Sequence, residues 1–176
     1  MSVKSKIAVA TLMALCSASA SVMAADVNKG QVTFSGEVVE TACSLAAGQD
    51  GTDVKVDFGQ LSATYLNNGG EATAPFVLKL ENCSLGTDPD RKTVSIAFDS
   101  TTKDATTPAL MSTTGSAGNV GIGIDGYTLG APASDLSGIV DGNNTLNFTA
   151  VAKKLADADV TPGDFSAIST FQISYK

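Results

Sequence analysis

In Gly163-Asp-Phe-Ser-Ala-Ile-Ser-Thr-Phe-Gln-Ile-Ser-Tyr-Lys176, apolar side chains recur at every second position: Phe165, Ala167, Phe171, Ile173 and Tyr175. A period of two is the signature of a strand with one apolar face. The alternation runs to Tyr175, where chain ends are usually polar and frayed. A segment of this kind has to lie in a sheet or pair with another chain.

Similar runs recur upstream. Gly30 to Glu40 places Val32, Phe34 and Val38 on one face, and Val54-Lys-Val-Asp-Phe58 alternates after a Gly48-Gln-Asp-Gly51 turn. Phe76 to Leu80, Val94 to Phe98, Val120 to Ile124 and Leu146 to Ala152 complete the set of seven predicted strands. One short helical turn is expected within Gly59–Leu66, and residues 99–118 and 125–143 read as loops rich in Thr, Ser, Ala and Gly. Seven short strands separated by turn residues, with almost no helix, predict an all-β, immunoglobulin-like sandwich.

Residues 1–24 read as a cleaved signal peptide: Lys4 and Lys6, an apolar stretch Ile7–Ala20, and small residues before Ala25. That stretch is diluted by Thr, Ser and Cys and is short of the roughly 20 residues a bilayer span needs, so no membrane insertion of the mature chain is expected. Removing it takes two of 11 positive charges and none of 18 negative ones, leaving a net charge of −9. Such an acidic chain is unsuited to nucleic acid, whose phosphates require basic surface. Cys16 leaves with the signal. Cys43 and Cys83 remain, an even pair in an exported chain, which implies one disulfide. Closing a loop of ~40 residues, it contributes on the order of 4 kcal/mol in the chain-entropy model.

Catalytic chemistry finds little footing. The chain has no histidine, so neither a Ser-His nor a Cys-His nucleophile can be assembled, and two sulfurs alone do not make a metal site. Gly121-Ile-Gly-Ile-Asp-Gly126 satisfies the dinucleotide fingerprint in letters. The fingerprint requires a helix to begin there, and Tyr127-Thr-Leu-Gly-Ala-Pro132 is no helix. Neither an enzyme nor a cofactor site is expected.

Both ends of the mature chain are apolar and strand-like. Gly30, Val32 and Phe34 stand at even spacing in the arm that follows the signal, and ten residues of it reach about 33 Å when extended. By pattern alone the two ends read equally as ordinary edge strands of a closed sandwich.

Several motifs in order break that tie. Gly30-x-Val-x-Phe-x-Gly-Glu-Val-Val39 leads to Cys43. Val56-Asp-Phe-Gly-Gln-Leu-Ser62, Leu80-Glu-Asn-Cys83, Gly118-Asn-Val-Gly-Ile-Gly-Ile124 and Asn144-Thr-Leu-Asn-Phe-Thr-Ala150 follow, and the series ends on the Phe165–Tyr175 alternation. Over the whole mature chain the sequence resembles the major pilins of chaperone–usher fimbriae, close to the P-pilus and type 1 rod subunits. Gly163, fourteenth from the end, and the penultimate Tyr175 match that family's chaperone-recognition pattern.

The resemblance implies an incomplete immunoglobulin-like sandwich, residues 35–176, whose missing strand is donated. A periplasmic chaperone would fill the groove first. At the outer-membrane usher, the arm of the next identical subunit, residues 25–34, would replace it, giving a cell-surface fimbria that supports adhesion. Gly30 would face a shallow part of the groove and Val32 and Phe34 deeper pockets. Val27, on the odd parity, would begin the arm. Phe171, Ile173 and Tyr175 would line the groove, with the Lys176 carboxylate held by the chaperone. The competing readings are a minor or adaptor fimbrial subunit and a self-contained exported carbohydrate-binding sandwich.

Overall fold

A computed structural model describes residues 30–38, 41–155 and 158–176. The signal segment 1–24 and Val27 lie outside the described residues. Two units are distinguished, residues 1–37 and 38–176.

In the larger unit the elements run β1 (Ser44–Leu45), a single 3-10 turn (Gly48–Asp50), α1 (Ala63–Asn67), β2 (Ala72–Cys83) and β3 (Val94–Asp99). They continue as β4 (Leu110–Ser112), β5 (Thr114–Gly115), β6 (Val120–Ile124), β7 (Ser134–Asp135), β8 (Gly142–Lys154), β9 (Phe165–Ser166) and β10 (Thr170–Tyr175). Five strands make one sheet in the order β1-β2-β8-β6-β4; β10-β3-β7 make a second; β5 and β9 form a separate pair. All pairings are antiparallel. The α1 turn starts where Ser62 Oγ accepts the Tyr65 N–H at 3.3 Å, an N-cap of the usual kind, and it ends at Asn68-Gly69.

The core lies between the two large sheets. Leu78 and Leu80 of β2 and Ile96 of β3 have no measurable exposure. Phe98 of β3 meets Phe148 of β8 edge-on at 5.3 Å and Tyr127 at 4.9 Å. Such edge-to-face pairs add about 0.5–1.5 kcal/mol each beyond their area burial. A chain with no tryptophan thus centres its core on a phenylalanine cluster spanning the sheets.

Five of the seven predicted strands are found: β2, β3, β6, β8, and the last, which is divided in two at 167–169. The other two stretches carry no strand and pair with nothing among the described residues. Residues 30–38 carry no regular structure, and Val32 and Phe34 are 74% and 89% exposed. Residues 54–58 also lack a ladder. The predicted loops contain β4, β5 and β7, two or three residues each. These are too short to leave a period-two signal.

The glycine fingerprint has a packing origin. Val120, Ile122 and Ile124 alternate toward the core, so Gly121 and Gly123 lie on the outer face of β6. There a Cβ would come within 2.6 Å of Leu155 Cδ2 and 2.7 Å of the Ala109 carbonyl oxygen. The glycines make room for Leu110 and Leu155.

Cys43 and Cys83 are bonded, 40 residues apart, joining the residue before β1 to the end of β2. The double variant Cys43→Ser/Cys83→Ser is expected to lower unfolding free energy by about 4 kcal/mol. Chemical denaturation of the variant beside the parent measures this, and coincident midpoints would contradict a stabilising bridge.

Candidate functional site

The unusual feature of the sandwich is one side of its last strand. The amide of Lys176 donates to the Thr93 carbonyl and the amide of Thr93 to the Lys176 oxygen, at 3.0 and 2.8 Å. Residues 176 and 93 are therefore a hydrogen-bonded antiparallel pair. The register Tyr175↔Val94 to Thr170↔Asp99 carries the alternation backward. Even-numbered residues point their backbone groups at β3. Phe171, Ile173 and Tyr175 point theirs the other way, where no strand stands among the described residues.

Their side chains face the core. Phe171, Ile173 and Tyr175 are half-buried and packed against the hydrophobic cluster. Beside this edge lies a groove of about 640 Å³. Its floor is apolar: Phe76, Leu78, Phe98, Ile122 and Ile124. One wall is formed by Phe165 to Ser169 with Phe171, and the opposite wall by Val54, Val56 and Phe58. At one end the walls meet, with the Phe58 and Phe165 rings 6.2 Å apart.

The opposite wall is half a strand. Val54, Val56 and Phe58 are half-buried, with Lys55 and Asp57 exposed between them, a strand's alternation. Yet among the described residues no backbone–backbone bond involves 54–58. The Lys55 carbonyl accepts only the Gln49 side chain, at 2.7 Å. Two extended segments thus flank an apolar trough, each presenting unsatisfied main chain toward it or into solvent.

A second open edge shows what protection looks like. The Lys79 carbonyl accepts from the Ala46 amide at 3.0 Å, so the odd residues of β2 face the β1 side. β1 covers only Leu80 and Glu81. Thr73, Pro75 and Val77 are left facing an unpaired edge among the described residues, and Pro75 has no N–H to offer there. Proline, charge and shortness are the usual means of blunting an edge. Between Asp164 and Lys176 there is neither a proline nor a charged residue. The edge of the last strand carries neither of these devices.

Of the residues singled out from the sequence, Phe171 lines the groove, and Ile173 and Tyr175 continue the same edge beyond it. The Tyr175 hydroxyl donates to the Cys43 carbonyl at 3.4 Å. Burial pushes its pKa above the ordinary tyrosine value. Lys176 is exposed. Gly163 lies outside the groove lining: a Cβ there would strike the backbone of Ser116 and Ala117, where the chain crosses toward β5. Gly30, Val32 and Phe34 are exposed, and Val27 falls outside the described residues. Sequence reasoning missed 54–58 as a groove wall, because alternation reports a strand and not whether it has a neighbour.

The family model described as "Fimbrial protein" matches residues 32–176. The chain belongs to the fimbrial protein family. Its relatives in this family include the Fimbria A protein of Serratia marcescens, 36% identical over 97% of this chain and 98% of that protein. The PRS fimbrial major pilin protein of Escherichia coli is 35% identical over 87% and 98%. Among solved structures, a chaperone–usher pilus subunit matches with a TM-score of 0.73 and 31% identity, covering 85% of this chain and 96% of that one. The P pilus rod subunit PapA matches at 0.68 and 28%, covering 77% and 100%. The fimbrial chain therefore has the immunoglobulin-like all-β fold of pilus subunits, and membership makes it a structural subunit rather than an isolated module.

For this fimbrial protein, Gly163→Val is expected to loosen the β5–β9 corner. The Ala117 amide, bonded to the Asp164 carbonyl at 3.0 Å, should then exchange its proton faster by about tenfold or more. Unchanged protection of Ala117 would show that the close approach carries no weight.

Proposed function

We propose that this chain is a rod-building subunit of a chaperone–usher fimbria, polymerised by strand donation. The arm of one subunit, residues 25–34, enters the groove of the next, with Gly30, Val32 and Phe34 facing its floor. The observation that carries this reading is the uncharged, proline-free edge of Phe171, Ile173 and Tyr175 beside an apolar trough. An added strand supplies what both the edge and the trough lack, which is strand addition used as recognition. Because the donating arm and the accepting groove are different surfaces, the contact is head-to-tail and generates a filament without closure.

Magnitudes favour the backbone as the main source of binding. Burying Val32 and Phe34 yields about 1.5–3 kcal/mol each. Ordering a ten-residue arm costs about 1–2 kcal/mol per residue, so the two side chains alone leave a large deficit. Ladder bonds at about 0.5–1.5 kcal/mol each, made on both sides of the arm if 54–58 also pairs, have to supply the balance.

Before assembly the same surface is an aggregation hazard. A periplasmic chaperone strand covers it in this proposal, and an outer-membrane usher exchanges that strand for the arm. Export with loss of residues 1–24, passage through the periplasm and a non-enzymatic role complete the proposal. The direct test is electrophoresis of protein sheared from the cell surface. A ladder of multimers in SDS that collapses to one band on boiling is expected; monomer without boiling would overturn polymerisation by strand capture.

Two variants probe its two ends. A Cβ on Gly30 meets no atom of its own chain within 4 Å, so its own subunit imposes no steric need for glycine there. Gly30→Leu should nevertheless abolish fibres while leaving subunit levels unchanged, and normal fibres would remove the arm from the groove. Deleting Tyr175 and Lys176 should lower the periplasmic subunit level severalfold through loss of chaperone capture. Undiminished levels by immunoblot would place that capture elsewhere.

A further inference from the structure

Between β9 and β10, residues 167–169 pair with no strand, yet the wall does not lose its phase. Phe165, Ala167, Ser169 and Phe171 are half-buried, and Ser166, Ile168 and Thr170 are exposed. The neighbours on the inner side change across this gap. β5 serves as partner up to Ser166, and β3 takes over only from Thr170.

One buried side chain fills the interval. Ser100, the residue after β3 and 6% exposed, donates its hydroxyl to the Ile168 carbonyl at 2.9 Å. Its oxygen accepts the Thr102 amide at 3.3 Å. In return the Ser169 hydroxyl donates to the Asp99 carbonyl at 3.0 Å. Two side-chain rungs stand where backbone rungs are missing. The Asp164 and Ser166 carbonyls accept from the β5 side, so even-numbered carbonyls share one edge from 164 to 176. Fixing the Ile168 carbonyl in that series turns the backbone groups of Ala167 and Ser169 to the open edge.

We infer that Ser100 is a positioning residue for strand capture, joining Phe165–Ser166 and Thr170–Tyr175 into one continuous accepting edge. The inference rests on the strand-donation reading above. With it the edge offers Phe165, Ala167, Ser169, Phe171, Ile173 and Tyr175, eleven residues spanning about 33–36 Å. β10 alone would offer about 20 Å, short of the arm's reach.

The test is residue-resolved hydrogen exchange on fibres sheared from cells. Fibres of the parent are compared with Ser100→Ala, and with Ser95→Ala as a second buried serine, bonded to Asp135 at 2.8 Å on the side of β3 away from β10. In the parent, the amides of Ala167, Ser169, Ile173 and Tyr175 should all be protected. Ser100→Ala should speed exchange at Ala167 and Ser169 by about tenfold, leaving Ile173 and Tyr175 within about twofold; Ser95→Ala should leave all four unchanged. Equal protection of Ala167 and Ser169 in parent and Ser100→Ala would overturn the inference while preserving strand donation. Absence of protection at all four amides in the parent would overturn strand donation itself. Should Ser100→Ala yield no fibre, Ser169→Ala, which removes only the reciprocal rung, is scored on the Ala167 amide and on Ile173 and Tyr175 by the same criteria.

Discussion

A buried or half-buried main chain must find partners for its amides and carbonyls, and in this sandwich that requirement is met unevenly. On the β3 side the last strand is paired residue by residue. On the other side Phe171, Ile173 and Tyr175 bring core-facing side chains together with outward main-chain groups that no described strand receives. The features around this edge depend on the imbalance: the trough, the unpaired 54–58 wall, and the absence of proline or charge between Asp164 and Lys176. Pro75 on β2 makes the contrast within one molecule, since there an exposed edge is stripped of a donor.

The disulfide and the last strand are coupled through one contact. Cys43 is bonded to Cys83, and its carbonyl accepts the Tyr175 hydroxyl at 3.4 Å. The covalent link between the residue before β1 and the end of β2 therefore also places a hydrogen-bond acceptor against the far end of the last strand. A tyrosine makes this contact where phenylalanine could not, because only the hydroxyl can donate to the Cys43 carbonyl.

The sequence disclosed the faces of strands far better than their neighbours. Alternation placed Phe165, Ala167, Phe171, Ile173 and Tyr175 on the inner side, and the cysteine pair identified the bridge. The same alternation in Val54–Phe58 and Gly30–Val38 gave no sign that these stretches lack partners among the described residues, because periodicity records which side is apolar and carries nothing about hydrogen bonding across an edge. β5 and β7 escaped notice for the opposite reason: they are pairings without a pattern. Ser100 was invisible because a lone serine after a strand looks like any turn residue until its hydroxyl is seen on the Ile168 carbonyl. The resemblance to pilins supplied the expectation of a donated strand, and the apolar groove beside an unpaired edge is what the proposal builds on.

Because the open edge of the last strand is built from peptide groups, a strand added there would read geometry and be nearly blind to what the outward side chains are. Ser166, Ile168 and Gln172, exposed on the outer face, can be exchanged for other residues of similar strand preference without changing the amides and carbonyls on the open edge. In the proposed assembly, a junction of this kind would let the exterior vary while the joint between successive units stays chemically the same.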